Sequence, residues 1–209
     1  MERMEMPATR SNLIRLKDEL VFAGDGLELM DQKKEILVRQ ISSLAVRADR
    51  VRAEMNQRLS EAYDHLQEAV IRHGEAAVES AGLGLRAEEQ LQVRERSLMG
   101  VVLPQVHIEL PVFQPGYGFC GTGKSMDATA AAIHRAMEVA GELAEVEVSI
   151  ERLMAELKKT LKRINVLARI YVPRYQATIK AIEVSLEEKE REALFRLRRI
   201  RSQSEYRLP

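Results

Sequence analysis

Stepping from Leu13 by alternate threes and fours, the chain lands on Leu16, Leu20, Ala23, Leu27, Met30, Lys34, Leu37, Ile41, Leu44, Ala48, Val51 and Met55, and only Lys34 is not apolar. Such a seam repeats every 3.5 residues on average. A helix that carries it must supercoil left-handed around a partner helix to keep the seam covered. From Met55 the step slips to Leu59, then Ala62, Leu66, Ala69 and His73. That additional four-residue step reads as a stutter, which locally unwinds a supercoil. Thr9 or Ser11 is positioned to cap the helix start through a side-chain oxygen. No proline interrupts Ser11 to Gly82, where Gly24, Gly26 and Gly74 are the weak points, and the pattern fades at Ala81-Gly-Leu-Gly84. A continuous helix of this length is roughly 100 Å long, more than an ordinary globular domain encloses.

A second seam occupies the other end: Leu143, Val146, Ile150, Leu153, Leu157, Thr160, Ile164 and Leu167, then Tyr175, Ile179, Ile182 and Leu186, then Ala193, Leu197 and Ile200. Pro173 interrupts it and, lacking an N–H, should kink or locally break the helix. Between the seams the character changes. Gln92 to Leu103 and Val106 to Leu110 alternate in part, with Pro104 and Pro111 after them. Two or three short strands, or a small hairpin, are expected there. Phe113 to Ser125 reads as a glycine-rich loop, with helix resuming at Ser125. The expected fold is mainly α: a long antiparallel two-helix coiled coil with a small β-containing insert. The expected segments are an N-terminal coiled-coil helix over 1–84, an insert over 85–125 and a C-terminal coiled-coil helix over 126–209.

Composition agrees with a rod. Charged residues are 31% of the 209, aromatics are 4%, and tryptophan is absent. A globular core of this size normally uses more of the large-area aromatic side chains. Lys plus Arg balances Asp plus Glu at 32 each. No overall polarity therefore marks the chain for nucleic acid or an anionic membrane. The single cysteine, Cys120, excludes an internal disulfide and fits a reducing compartment. The charged start (Glu2, Arg3, Glu5) is unlike a signal peptide. No apolar stretch is long enough to span a bilayer, so any membrane role is expected to come through a partner.

One motif points towards chemistry. Gly118-Phe-Cys-Gly-Thr-Gly123-Lys124-Ser125 has the spacing of a phosphate-binding loop, in which Lys124 would reach the outer phosphates and Ser125 a magnesium ion. Such a loop requires a buried strand directly before it. Pro111-Val-Phe-Gln-Pro115-Gly-Tyr is turn chemistry instead, and no later apolar strand ends in a metal-holding Asp. A glycine-rich turn before a helix is the better expectation. His65, His73, His107 and His134 lack ligand spacing and read as surface or packing residues. Glu187, Glu188 and Glu190 read as a solvated helix face ion-paired with Lys189 and Arg191 or with their neighbours a turn away. The end of the chain, Phe195-Arg-Leu-Arg-Arg-Ile-Arg201, is basic. In a hairpin it would lie near Arg3, Arg10, Arg15 and Lys17. Cations there complement a helix C-terminus and also form a basic tip suited to an acidic socket.

Two blocks of residues resemble a known family, the D subunit of V-type and A-type rotary ATPases, the central rotor shaft. The first is Pro7-Ala-Thr-Arg10-Ser-Asn-Leu13-Ile-Arg-Leu16-Lys17, continuing through Gly26-Leu-Glu-Leu-Met30 and Lys33-Lys-Glu-Ile-Leu37. The second is Thr160-Leu-Lys-Arg163-Ile-Asn165-Val-Leu167, Val172-Pro173, Glu188-Lys-Glu190-Arg191-Glu192 and Phe195-Arg-Leu-Arg-Arg-Ile200. The motif positions are Pro7, Leu13, Asn165, Pro173, Glu190 and Arg191.

The resemblance implies a non-catalytic, cofactor-free shaft, cytoplasmic and peripheral to the membrane. It implies that Thr9, Arg10, Arg15, Lys17, Arg196, Arg198, Arg199 and Arg201 form a tip that turns within a hexamer of A and B subunits. It implies that the insert, with Val93, Val101, Val106 and Ile108, lies near the small F subunit. The far end would sit in a funnel-shaped C (or d) subunit above the membrane ring, with no nucleic acid and no direct membrane insertion. A generic coiled-coil scaffold explains the seams but not the block from Thr160 to Pro173. A nucleotide-binding protein using Gly118–Ser125 explains neither.

Overall fold

The computed structural model describes residue 4 and residues 6–84, 90–109, 117–118 and 122–205. Its elements are α1 (Arg10–His73), α2 (Glu75–Gly84), β1 (Gln90–Leu98), β2 (Val101–Glu109), α3 (Lys124–Val166), a π-helical turn (Leu167–Tyr171) and α4 (Val172–Glu205). The two long helical arms and the intervening hairpin are the expected fold class. The chain divides into two compact units, one of residues 1–35 with 158–209, the other of residues 36–157.

In the first unit the opening of α1 packs against α4. Leu16, fully buried, meets Ile179 and Ile182, with Leu13, Leu20, Tyr175 and Leu186 around them. Two ion pairs read out the direction: Arg10 pairs with Glu190, and Lys17 with Glu183 at 2.7 Å. Seven residues forward in α1 is seven back in α4, so the helices are antiparallel. Thr9 is the cap, accepting from the Asn12 N–H at 3.3 Å.

Pro173 does not end the helix, but the α-helical pattern is locally interrupted by the π turn directly before it. The seam shows why a π turn stands before it. From Leu167 to Ile179 is twelve residues, where steps of four, three and four make eleven. One residue is surplus. The π turn absorbs it: the Val172 N–H donates to the carbonyl of Leu167, five residues back. The face bearing Tyr175, Ile179 and Ile182 therefore still meets α1. The seam's last members, Ala193, Leu197 and Ile200, are exposed. α1 starts at Arg10, opposite Glu190, so no described helix remains to cover them.

In the second unit α1 runs antiparallel to α3. Leu37 packs against Leu153, and Ala69 against Met126. Every seam position from Leu37 to His73 is buried or half-buried, Met55 and Leu59 at the stutter included. α1 ends where Gly74 turns left-handed at φ +83°, its N–H closing onto Val70. A residue with a Cβ adopts that conformation only at a cost.

The insert is one antiparallel hairpin, registered from Gln90↔Glu109 to Leu98↔Val101. Met99 and Gly100 both have positive φ, 51° and 80°, which is the two-residue turn that matches strand twist. Pro104, expected as a terminator, lies inside β2 opposite Glu95. The register explains this. Leu98 and Val101 flank the turn as a bonded pair, so odd-numbered residues of β2 bond to β1 and even-numbered ones face outward. Pro104 therefore needs no ladder donor.

Candidate interaction surfaces

The tip residues divide by structure into a braced part and an overhang. On α1, Arg10 is tied to Glu190, Lys17 to Glu183, and Arg15 to Glu19 at 2.8 Å. Pro7 is held by the Asn12 side-chain amide, which donates to its carbonyl at 2.8 Å. Lys189 reaches across to the Ala8 carbonyl at 3.1 Å. Arg191 pairs along its own helix with Glu187 and Glu188, as the sequence indicates, and Arg196 with Glu192. These exposed pairs each contribute at most about 1 kcal/mol. Of these contacts only Arg10–Glu190, Lys17–Glu183 and the Lys189 bond to Ala8 tie the two chain ends to each other.

Beyond Arg191 the surface changes. Phe195 is 77% exposed and Leu194, Leu197 and Ile200 are also exposed, interleaved with Arg196, Arg198, Arg199 and Arg201. A single helix showing this much apolar surface among cations is suited to a partner. The other motif positions lie along the unit: Leu13 in the core cluster, Pro173 half-buried after the π turn, Asn165 exposed on α3.

The structure separates the four insert valine and isoleucine positions. Val101, with Leu98, joins the core of Leu37, Leu103 and Leu153. Val106 and Ile108 lie over Gly141 of α3. Only Val93 turns out to solvent. Two polar contacts hold β2 on α3: Glu145 accepts the Val106 N–H, and Arg152 donates to the Val102 carbonyl, both at 2.8 Å.

Glu145 and Arg152 carry no motif, and only the fold reveals their role. The same is true of a groove of about 590 Å³ beside the π turn, lined by Phe22, Ala23, Gly26, Met30, Val166 and Tyr171 among others. Phe22 lies one position off the seam and is 79% exposed. That misplacement was its one readable signal.

The Gly118–Ser125 segment has its residues 119–121 outside the described residues, as are 110–116 before it. Ser125 is buried and shares a hydrogen bond with His73 across 3.1 Å. A Cβ on Gly123 would meet the His73 ring at 2.9 Å. Thr122 donates to the Gly118 carbonyl at 2.7 Å. Lys124 is exposed as the first residue of α3. The Ser125 hydroxyl is thus spent on helix packing. Nearby, the Tyr117 phenol donates to Asp127. Burial, then that bond and the carboxylate charge, push the phenol up to about 12. Among the described residues no cluster of His, Cys, Asp and Glu could hold a metal ion. No helix among them is long and apolar enough to cross a membrane.

The family model for the D subunit of ATP synthase matches residues 12–202, nearly the whole chain. The chain belongs to the ATP synthase D subunit family. It is 34% identical to the A-type ATP synthase D subunit of Pyrococcus furiosus over 209 residues, covering 99% of this chain and 98% of that one. It is 31% identical to the A-type ATP synthase D subunit of Thermococcus sibiricus, covering 95% and 94%. It is 34% identical to the V-type ATP synthase D subunit of Thermotoga neapolitana, covering 95% and 98%. The family match takes in both helical arms and the hairpin, so the insert is part of the family's domain.

Proposed function

We propose that this D-family chain is the non-catalytic central shaft of an A/V-type rotary ATP synthase. It couples ATP synthesis or hydrolysis in the hexamer of A and B subunits to ion movement through the membrane ring. The complex would hold it peripheral to the membrane on the cytoplasmic side. The overhang of α4 and the braced ends around Arg10 and Lys17 form the tip that turns inside the hexamer. The insert lies towards the small F subunit, and the end around α2 engages the C (or d) subunit above the ring.

The observation that carries this reading is the uncovered end of α4. Leu197 and Ile200 continue the seam, Leu194 and Phe195 stand exposed beside them, and no helix among the described residues meets them. An apolar surface ringed by arginines fits a collar that is apolar with acidic residues at its rim. The shaft needs no chemistry of its own. It needs stiffness, which backbone hydrogen bonds and a shared seam provide, and asymmetry. The stutter at Met55–Leu59 and the π turn before Pro173 are where the regular repeat is interrupted, and so where that asymmetry would arise. A symmetric rod could not set the catalytic sites into different states.

The test is reconstitution of the full complex with Leu197→Asp and Ile200→Asp together. Loss of ATP-driven ion pumping with the isolated chain still helical supports the shaft reading. Pumping at the unmodified rate sinks it.

A further inference from the structure

The two strands of the hairpin have different edges. On β2 two outward groups are taken by α3, the Val102 carbonyl by Arg152 and the Val106 N–H by Glu145, and Pro104 between them has no N–H to offer. On β1 the register turns the backbone groups of Leu91, Val93, Glu95 and Ser97 outward, and among the described residues nothing bonds to them. β1 is nine residues long, with no proline and no bulge. An open edge of that length is a template for another strand.

The side chains prescribe the occupant. Leu91 and Val93 stand exposed on one face of β1 at 62% and 56%. Arg94 and Arg96 stand exposed on the opposite face. A strand laid alongside must therefore alternate, apolar residues beside Leu91 and Val93 and carboxylates beside the two arginines.

We propose that β1 receives a third strand from a partner subunit, an extended segment in which acidic and apolar residues alternate, and that the small F subunit supplies it. This rests on the central-shaft reading above. It replaces side-chain packing on the whole insert with main-chain pairing on one edge. Val101, Val106 and Ile108 then serve to hold the template still, and Val93 alone of the four faces the partner.

The probe is the F subunit of the same complex, titrated against the full chain and followed by amide-resolved hydrogen exchange. On binding, the amides of Leu91, Val93, Glu95 and Ser97 slow by at least about tenfold, while those of Arg94 and Arg96, already bonded to β2, change little. Val93→Pro removes one outward donor and leaves the hairpin ladder whole. It should weaken binding at least about tenfold with the inward amides still protected. Arg94→Glu with Arg96→Glu should weaken it further and abolish its salt dependence.

Val93→Pro binding as tightly as the native chain, with the outward amides unprotected, overturns strand addition and leaves the shaft reading standing. Protection of those amides by the A/B hexamer instead overturns the assignment to F. A native chain that binds no F subunit at all overturns the shaft reading itself.

Discussion

Gly141 of α3 lies so close to Ile108 of β2 that a Cβ on the glycine would fall 2.3 Å from the isoleucine Cδ1. A missing side chain on a helix is here the seat of a strand. Gly141→Ala should gain up to about 1 kcal/mol of helix propensity and lose about 1–3 kcal/mol to overpacking, a net loss. In an Ile108→Ala background the clash is gone and the same change should stabilise. Urea midpoints of the four proteins in that cycle decide it; equal effects in both backgrounds would refute the contact.

Leu153 is fully buried against Leu37 and Leu103, whereas Leu197 continues the same kind of seam into solvent. Leu153→Ala should cost about 2–5 kcal/mol of stability. Leu197→Ala should stay within about 0.5 kcal/mol in the isolated chain. Thermal melts of the two variants give the comparison.

The surplus residue between Leu167 and Ile179, not Pro173, is the cause assigned to the π turn. Pro173→Ala should therefore leave the π turn in place. Deleting Ala168 should convert it to ordinary α-helix while Ile179 and Ile182 keep facing Leu16. A structure of each variant tests this. If the turn contributes asymmetry to the shaft, the deletion also lowers coupling in the assembled complex.

Tyr117 gives a pH signature. Its phenol is raised from 10.0 to about 12 by burial first and by Asp127 second. The folded state therefore favours the neutral phenol. The stabilisation is fully present below pH 10 and is lost as pH rises through about 12. In an ultraviolet titration Tyr117 should ionise late. Tyr117→Phe should remove the stability loss particular to that window.

Lys124→Ala should leave the ATPase activity of the assembled complex nearly unchanged. Lys124 is exposed and the neighbouring Ser125 hydroxyl is engaged with His73. A large loss of activity would restore a phosphate-binding role to the loop.

The seams were legible because a coiled coil writes its contacts locally. Each of Leu13, Leu16, Leu20 and Ala23 can be placed by counting along one helix, without knowing the partner. The hairpin was legible only as alternation. Its turn is Met99-Gly100, and a methionine at positive φ is not a residue type that announces such a turn. Pro104 then misleads, because whether a strand tolerates proline depends on which edge faces a neighbour.

The helical arms, their antiparallel pairing and the family are all readable along the chain, through periodicity and through motifs such as Thr160 to Pro173. The tertiary structure decided the rest. It decided that among the described residues no helix meets the seam after Arg191, that three insert side chains face inward and Val93 outward, and that Glu145 and Arg152 hold β2 on α3 while no described residue pairs with the outer edge of β1. Those are facts about which surfaces meet across long separations in the chain. A pattern fixes which face of an element is apolar; only the packed chain fixes whether anything covers it.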